Sequence, residues 1–181
     1  MKCAHCALSC SDVGRNMQIE TFMKSLFFAR DYGYSQITIG GGEPTVHPEF
    51  WTILNSAMYF RPLFHIDIIT NGKNENIAMT LLDLTNKGRV SALLSQDKYH
   101  ERINQHVVDA YHEKGRIWDA GNNVIRSGRG KTVRGAKKGC CCNGPFINPS
   151  GKIYSCGCKN RLIGNVFEWY DNSFIGHGKK G

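Results

Sequence analysis

Apolar positions along the first 127 residues switch repeatedly between two periods. Ile19, Phe22, Met23, Leu26 and Phe27 fall at helical spacing, which predicts a helix over 17–32 that stops at Gly33. Gln36-Ile37-Thr38-Ile39 is a short β-branched run and predicts a strand. Helical spacing returns with Phe50, Trp51, Leu54, Ala57 and Met58, behind a proline, Pro48, suited to a first helical turn. The alternation continues with a strand from Phe64 to Ile69 and a helix over 75–87 closed by Gly88. A strand from Val90 to Leu94 and a helix over 100–114 closed by Gly115 come next. Ile117-Trp118 and Val124-Ile125 are shorter strand candidates. Regular strand–helix alternation predicts an α/β fold, a parallel sheet with right-handed crossovers. Its first element is a helix, not a strand.

Polar or glycine-rich residues follow the carboxyl end of each strand. They are Gly40-Gly41-Gly42-Glu43-Pro44, Thr70-Asn71-Gly72 and Ser95-Gln96-Asp97. Parallel sheets hold their ligands at that end, so the three segments are expected to share one rim. The pattern changes after residue 139. Phe146 to Tyr154 reads as a β-hairpin around Asn148-Pro149-Ser150-Gly151, and Leu162 to Phe167 adds a further strand. The expected organisation is a core over 1–127, a basic glycine-rich linker over 128–139, a cysteine-rich module over 140–168 and a tail over 169–181.

Composition narrows the class. Eight cysteines in 181 residues fall short of a disulfide scaffold, for which roughly 8–10 per cent is usual. No apolar run is long enough to span a membrane. The start, Met1-Lys2-Cys3-Ala4-His5-Cys6, has no apolar leader core, so a cytoplasmic location and reduced thiols are expected. All eight cysteines lie in two groups: Cys3, Cys6 and Cys10, then Cys140, Cys141, Cys142, Cys156 and Cys158. Core cysteines would be scattered; bunched thiolates converge on a soft metal centre. The net charge of +8 is also localised. Arg126, Arg129, Lys131, Arg134, Lys137 and Lys138 occur with no acid among them and are broken up by Gly128, Gly130, Gly135 and Gly139. That stretch reads as a solvated linker or as a loop for phosphates, nucleic acid or an acidic partner.

Two motifs carry chemistry. Cys3-x-x-Cys6-x-x-x-Cys10 places three thiolates within eight residues. Iron–sulfur clusters use cysteines at such spacings, and three thiolates on a four-iron cluster leave one iron open. Gly41-Gly42-Glu43-Pro44 directly follows a strand; its glycines allow close backbone approach to a ligand, and its carboxylate accepts from an amino group.

Together these motifs resemble the radical S-adenosylmethionine (radical SAM) superfamily. Lys2-Cys3-Ala4-His5-Cys6 is similar to the second half of that family's Cys-x-x-x-Cys-x-x-Cys loop, and the Gly-Gly-Glu-Pro turn and Thr70-Asn71-Gly72 match its next motifs. The resemblance covers roughly residues 2–127. It implies a partial (β/α) barrel, here lacking its first strand, with a small cysteine-rich β-hairpin appendage. It further implies a [4Fe–4S] cluster whose open iron chelates the methionine part of SAM. The reduced cluster would cleave SAM to a 5′-deoxyadenosyl radical that abstracts hydrogen from a substrate. By motif match, Glu43 and the Gly41-Gly42 backbone hold the methionyl amino group, with Pro44 closing the motif. Thr70 and Asn71 belong to the same cofactor rim, and Ser95 and Asp97 stand where many members touch the SAM ribose or carboxylate. His5 lies beside the cluster. An electron donor such as a flavodoxin or ferredoxin is an implied partner.

The family's first cysteine would lie four residues before Cys3, ahead of Met1, and a first strand before that. The expectation is a truncated or misassigned start, with Cys10 as the alternative source of the third thiolate. The C-terminal cysteines resemble the start of the SPASM or twitch extensions of the superfamily, with Gly151 four residues ahead of Cys156. Cys140, Cys142, Cys156 and Cys158 would hold a second Fe–S cluster or a zinc ion, with Cys141 spare. By analogy this module suggests a peptide or protein substrate. Tyr99, His100, His106 and Tyr111 are candidates for acid/base or radical-relay roles, with Asp97 and His100 the better candidates for site residues; Tyr111 shares a helix face with Ile103 and Val107 and is expected in the core, and Trp51 and Trp118 are expected to pack rather than touch a cofactor. The competing reading is a non-catalytic metal-binding module that grips nucleic acid through 126–139. It gives the Gly-Gly-Glu-Pro turn no role and lacks base-stacking aromatics near the basic loop.

Overall fold

The computed structural model describes residues 3–119, 124–139 and 144–169. Internal contacts divide the chain into two units: residues 1–14 with 35–139, and residues 15–34 with 140–181. The division differs from the boundaries expected from sequence. Helix α1 (Ile19–Asp31) groups with the C-terminal module, and residues 128–139 lie within the first unit.

The first unit is built on a four-stranded parallel sheet in sequential order: β1 (Gln36–Ile39), β2 (His65–Thr70), β3 (Ser91–Ser95) and β4 (Ile117–Trp118). The crossovers contain α2 (Phe50–Tyr59), α3 (Glu75–Asn86) and α4 (Gln105–Glu113). Register aligns Ile39 with Ile68, Thr70 with Leu94 and Ser95 with Trp118, which brings the carboxyl ends together. β3 is buried along nearly its whole length, as a strand covered on both faces must be. Ile66, Ile68, Ala92 and Leu94 of the strands, Leu54 and Ala57 of α2, Ala78 and Leu81 of α3, and Val107 and Tyr111 of α4 are all closed to solvent. Tyr111 is a core residue, as its helix face implied. Its hydroxyl donates to the Ala78 carbonyl at 2.8 Å, and burial pushes its phenol well above the ordinary range. Trp51 and Trp118, expected to pack, are 42% and 46% exposed, and the Trp51 ring packs edge-on against Phe50 at 5.1 Å.

Two element boundaries shift for local reasons. α4 starts at Gln105 rather than near residue 100. The Asp97 carboxylate takes the Tyr99 amide at 2.8 Å and turns the chain, and Asn104 caps the helix by accepting from the His106 amide at 3.2 Å. Val124 and Ile125 do not form a strand: Ile125 makes one isolated bridge to Lys137, and residues 128–132 wind into a 3-10 turn.

Gly72 shows how tightly the rim is packed. It sits at φ +71°, and a Cβ there would lie 2.6 Å from Leu94 Cδ1 and 2.8 Å from Ile103 Cδ1. Gly72→Ala is therefore expected to destabilise the protein by about 1–3 kcal/mol through overpacking and backbone strain. Chemical denaturation reads this directly; an unchanged midpoint would refute it.

The second unit pairs α1 with an antiparallel sheet of β5 (Phe146–Ile147), β6 (Lys152–Tyr154) and β7 (Leu162–Asn165). The hairpin closes where the Asn148 side chain accepts from the Ser150 and Lys152 amides, with Gly151 at φ +80°. Phe28 of α1, Ile153 and Val166 form its core, with Phe167 and Trp169 packed around them. Among the described residues no strand precedes α1.

Candidate active site

The turn after β1 carries the first feature. Gly41 sits at φ +115°, a conformation suited to glycine, and a side chain there would meet open space. Glu43 then bends back over the sheet. Its Oε1 accepts from the Thr45 amide at 3.2 Å, from the Thr45 hydroxyl at 2.7 Å and from the Thr70 hydroxyl at 2.8 Å. Its Oε2 accepts from the Asn71 amide at 2.6 Å. Thr70 Oγ1 in turn accepts from the Gly72 amide at 3.1 Å. One carboxylate therefore joins the ends of β1 and β2. Oε1 is fully engaged, whereas Oε2 takes one donor and has capacity for another.

At the end of β3, Ser95, Asp97 and His100 form a second group. The Asp97 side chain is 1% exposed. Its Oδ1 lies 2.9 Å from His100 Nδ1, and His100 Nε2 lies 3.4 Å from Ser95 Oγ. His5 reaches in from the cysteine loop, with Nε2 3.3 Å from Asp97 Oδ2, and stacks on Tyr99 at 5.0 Å between ring centroids. Asp97 Oδ2 and His5 Nδ1 are buried without a hydrogen bond. Burial holds the His5 imidazole below its ordinary pKa, against the pull of the Asp97 charge. Asp97 thus faces two histidines, one from each side of the rim.

The cysteine loop lies across both groups. Cys10 Sγ lies 2.8 Å from the Gly41 carbonyl oxygen, and the Cys10 amide donates to Cys6 Sγ at 3.4 Å. Cys6 is drawn down to about 5, first by hydrogen bonding from the Cys10 side chain, then by the Cys10 and Leu8 amides and the Arg129 charge, against burial. Cys3 moves the other way: burial, then the neighbouring Cys6 charge, raises it. The loop's donors are thus soft, close together and biased toward one thiolate, and thiolate is the form that binds metal. That donor set fits an iron–sulfur centre.

Sequence reasoning missed one part of the site. The segment read as a linker clasps the cysteine loop. Arg129 donates through Nε to the Cys3 carbonyl at 2.9 Å and through its amide to the Cys6 carbonyl at 3.0 Å. Ser127 Oγ donates to the Ala7 carbonyl at 3.1 Å. Gly128 and Gly130 let the two backbones touch. The alternate glycines of Ser127-Gly128-Arg129-Gly130 are the one signal that hinted at close approach.

The remaining expected ligands lie in the other unit. Cys156 and Cys158 are half-buried in the turn between β6 and β7. Cys140, Cys141 and Cys142 fall outside the described residues.

The Radical SAM superfamily profile matches residues 1–128. The chain belongs to that superfamily of enzymes. Among solved structures it is similar to BtrN in complex with AdoMet and 2-DOIA, at 16% identity and a TM-score of 0.70, over 96% of this chain and 76% of that one. A second BtrN structure, in an open conformation, matches at 16% identity and a TM-score of 0.59, over 98% of this chain and 77% of that one. At such identity the likeness concerns the fold. No curated protein matches the sequence. Among the described residues, no helix is long and apolar enough to cross a membrane.

Proposed function

We propose that this protein cleaves S-adenosylmethionine reductively at a [4Fe–4S] cluster held by Cys3, Cys6 and Cys10. The observation that carries the reading is the position of the cysteine loop beside the Gly41–Glu43 turn, with Cys10 Sγ 2.8 Å from the Gly41 carbonyl oxygen. Cys10 would supply the third thiolate, giving up its proton and with it the Gly41 hydrogen bond on binding iron. When bound, the cluster and SAM would supply 5′-deoxyadenosyl radical chemistry for hydrogen abstraction from a substrate. This chain's residues position the reactants. The open backbone at Gly41 and Gly42 admits the methionyl part, and the spare capacity of Glu43 Oε2 takes its amino group. Thr70 and Asn71 hold Glu43 in place on the cofactor rim, through the Thr70 hydroxyl and the Asn71 amide. Asp97 and Ser95 orient His100 and His5, so their part in SAM binding runs through the two histidines. The C-terminal set of Cys140, Cys142, Cys156 and Cys158 would hold a second cluster or zinc, and a peptide or protein is the substrate class this module suggests.

The test is anaerobic reconstitution with iron and sulfide, then dithionite and SAM. The wild-type protein is expected to gain an iron–sulfur chromophore and release 5′-deoxyadenosine. Cys6→Ala should abolish the product. A protein that shows neither chromophore nor product would overturn the reading. Metal analysis of the same preparation distinguishes iron from zinc at the C-terminal set.

A further inference from the structure

The end of the sheet opposite the cofactor rim carries a feature that the chemistry above leaves unused. At the amino ends of β2 and β3 the surface falls into a cleft of about 920 Å³, whose lining includes Tyr59, Arg61, His65, Arg89, Ser91 and Arg116. Small-molecule sites fall in the range of about 300–1,000 Å³. The arginines come from three separate helix-to-strand turns: Arg61 follows the end of α2, Arg89 the end of α3 and Arg116 the end of α4. Sequential parallel strand order sets these turns side by side. Among the described residues, no carboxylate lines the cleft or forms an ion pair with any of the three. Asp67, two residues beyond His65, is engaged by His65 at 3.3 Å and by the Gln36 amide. Arg116 is half-buried and donates through Nη1 to the Ser91 hydroxyl at 3.3 Å, which orients the guanidinium and leaves its other N–H groups for a ligand.

A structural role accounts for only part of this charge. A cation past a helix C-terminus is favoured because the carbonyl end carries about half a negative charge, so three such ends offset about half of three guanidinium charges. We propose that the cleft binds a phosphorylated small molecule, its phosphate oxygens gripped by Arg61, Arg89 and Arg116. The surplus positive charge exceeds what one carboxylate would neutralise, and the guanidinium fork matches phosphate oxygens in pairs. Strand β2 runs from His65 at the cleft to Thr70 at the rim, a rise of roughly 17 Å at about 3.3 Å per residue. A ligand held here is therefore no reactant at the cysteine loop. It ties the three turns together at the far end of the sheet. The inference goes beyond the cluster reading and does not depend on it.

The test is calorimetric titration of the full chain with inorganic pyrophosphate and, separately, with ADP. Saturable binding of one equivalent is expected. Arg61→Gln/Arg89→Gln should weaken it about tenfold or more, the scale of a lost charge-assisted hydrogen bond. Both side chains are exposed, so the fold should survive, which unchanged far-ultraviolet circular dichroism checks. Arg116→Lys keeps the charge without the fork and should fall between that variant and wild type. Arg134→Gln/Lys138→Gln, a pair of exposed cations outside the cleft lining, is the control and should bind like wild type. Tighter binding of ADP than of pyrophosphate, lost in Tyr59→Ala, would assign the site to a nucleotide; equal or weaker binding would assign it to the phosphate groups alone. No saturable binding of either ligand would overturn the proposal. Equal affinity in wild type and Arg61→Gln/Arg89→Gln would do the same, as would an equal loss in the control pair, which marks binding to net charge. A mixed-sequence single-stranded oligonucleotide that binds more tightly than both small ligands, and is lost in the same double variant, would replace it with a nucleic-acid surface. Because the readout is binding to protein without SAM or reductant, a failure to form 5′-deoxyadenosine counts against the cluster reading and not against the cleft.

Discussion

Glu43→Ala is expected to abolish productive SAM binding and to lower stability as well. The carboxylate gathers donors from two separate strand ends: Thr45 beyond β1, and Thr70 and Asn71 at the end of β2. Thr70 is 1% exposed, so its hydroxyl cannot turn to water when the acceptor goes. Leaving a buried donor unmet costs about 1–3 kcal/mol. The catalytic effect should be larger. With Glu43 gone, the Gly41–Pro44 turn loses its tie to β2, and displacement of reacting groups by an ångström can cost about a hundredfold in rate. Glu43→Gln separates the two effects. Its amide oxygen can still accept from Thr45 and Thr70, but its NH2 then faces the Asn71 N–H, donor against donor. A smaller fall in melting temperature than in Glu43→Ala, with a loss of 5′-deoxyadenosine of about a hundredfold or more, is the expected result. Calorimetric SAM titration and product chromatography on the reconstituted protein check it. Wild-type turnover in the glutamine variant would show that the carboxylate holds the rim and nothing more.

The rim was readable from sequence because its information is local. Ile37, Ile39, Ile66, Ile68, Ala92 and Leu94 write the strands, and the residues that follow each strand write the carboxyl edge. Register then brings those edges together without further instruction. The start of α4 was misread because Ile103, Val107 and Tyr111 keep helical spacing backward into a loop. The loop is set by Asp97 and by the Asn104 cap, whose hydrogen bonds leave no mark on apolar periodicity. Asp97 was legible as a site residue, but its role between two histidines was not, since His5 lies more than 90 positions away in the chain. The clasp was hidden for a stronger reason. Its contacts are made to backbone carbonyls of Cys3, Cys6 and Ala7, which every sequence possesses. A basic run with glycines therefore reads as solvated linker until the partner backbone is in place.

That dependence on backbone contact makes Gly128 the most sensitive position of the clasp. It sits at φ +52°, and a Cβ there would lie 2.4 Å from the Ala7 carbonyl oxygen and 2.6 Å from that of Cys6. Both are main-chain atoms of the cysteine loop, so no side-chain rotation relieves the clash. Gly128→Ala must push the loop away from Arg129 and spread the thiols, while the apolar core around Leu54, Ile68, Leu94 and Val107 keeps its packing. The expected outcome is a folded protein, unchanged in far-ultraviolet circular dichroism, that retains about a tenth or less of the iron bound at the N-terminal loop, in line with the tenfold and greater losses seen when groups that orient metal ligands are removed. Arg129→Ala should be milder, because it removes the guanidinium bond to Cys3 yet leaves the amide bond to Cys6. Arg129→Lys should recover the charge without the directed Nε contact and fall between Arg129→Ala and the unsubstituted protein. Iron analysis is best made in a Cys156→Ala/Cys158→Ala background, so that only the N-terminal loop is counted. Were Gly128→Ala to take up iron like its parent, the clasp would be an incidental contact, and the cysteine loop would owe its shape to Cys10 on Gly41 and His5 on Asp97 alone.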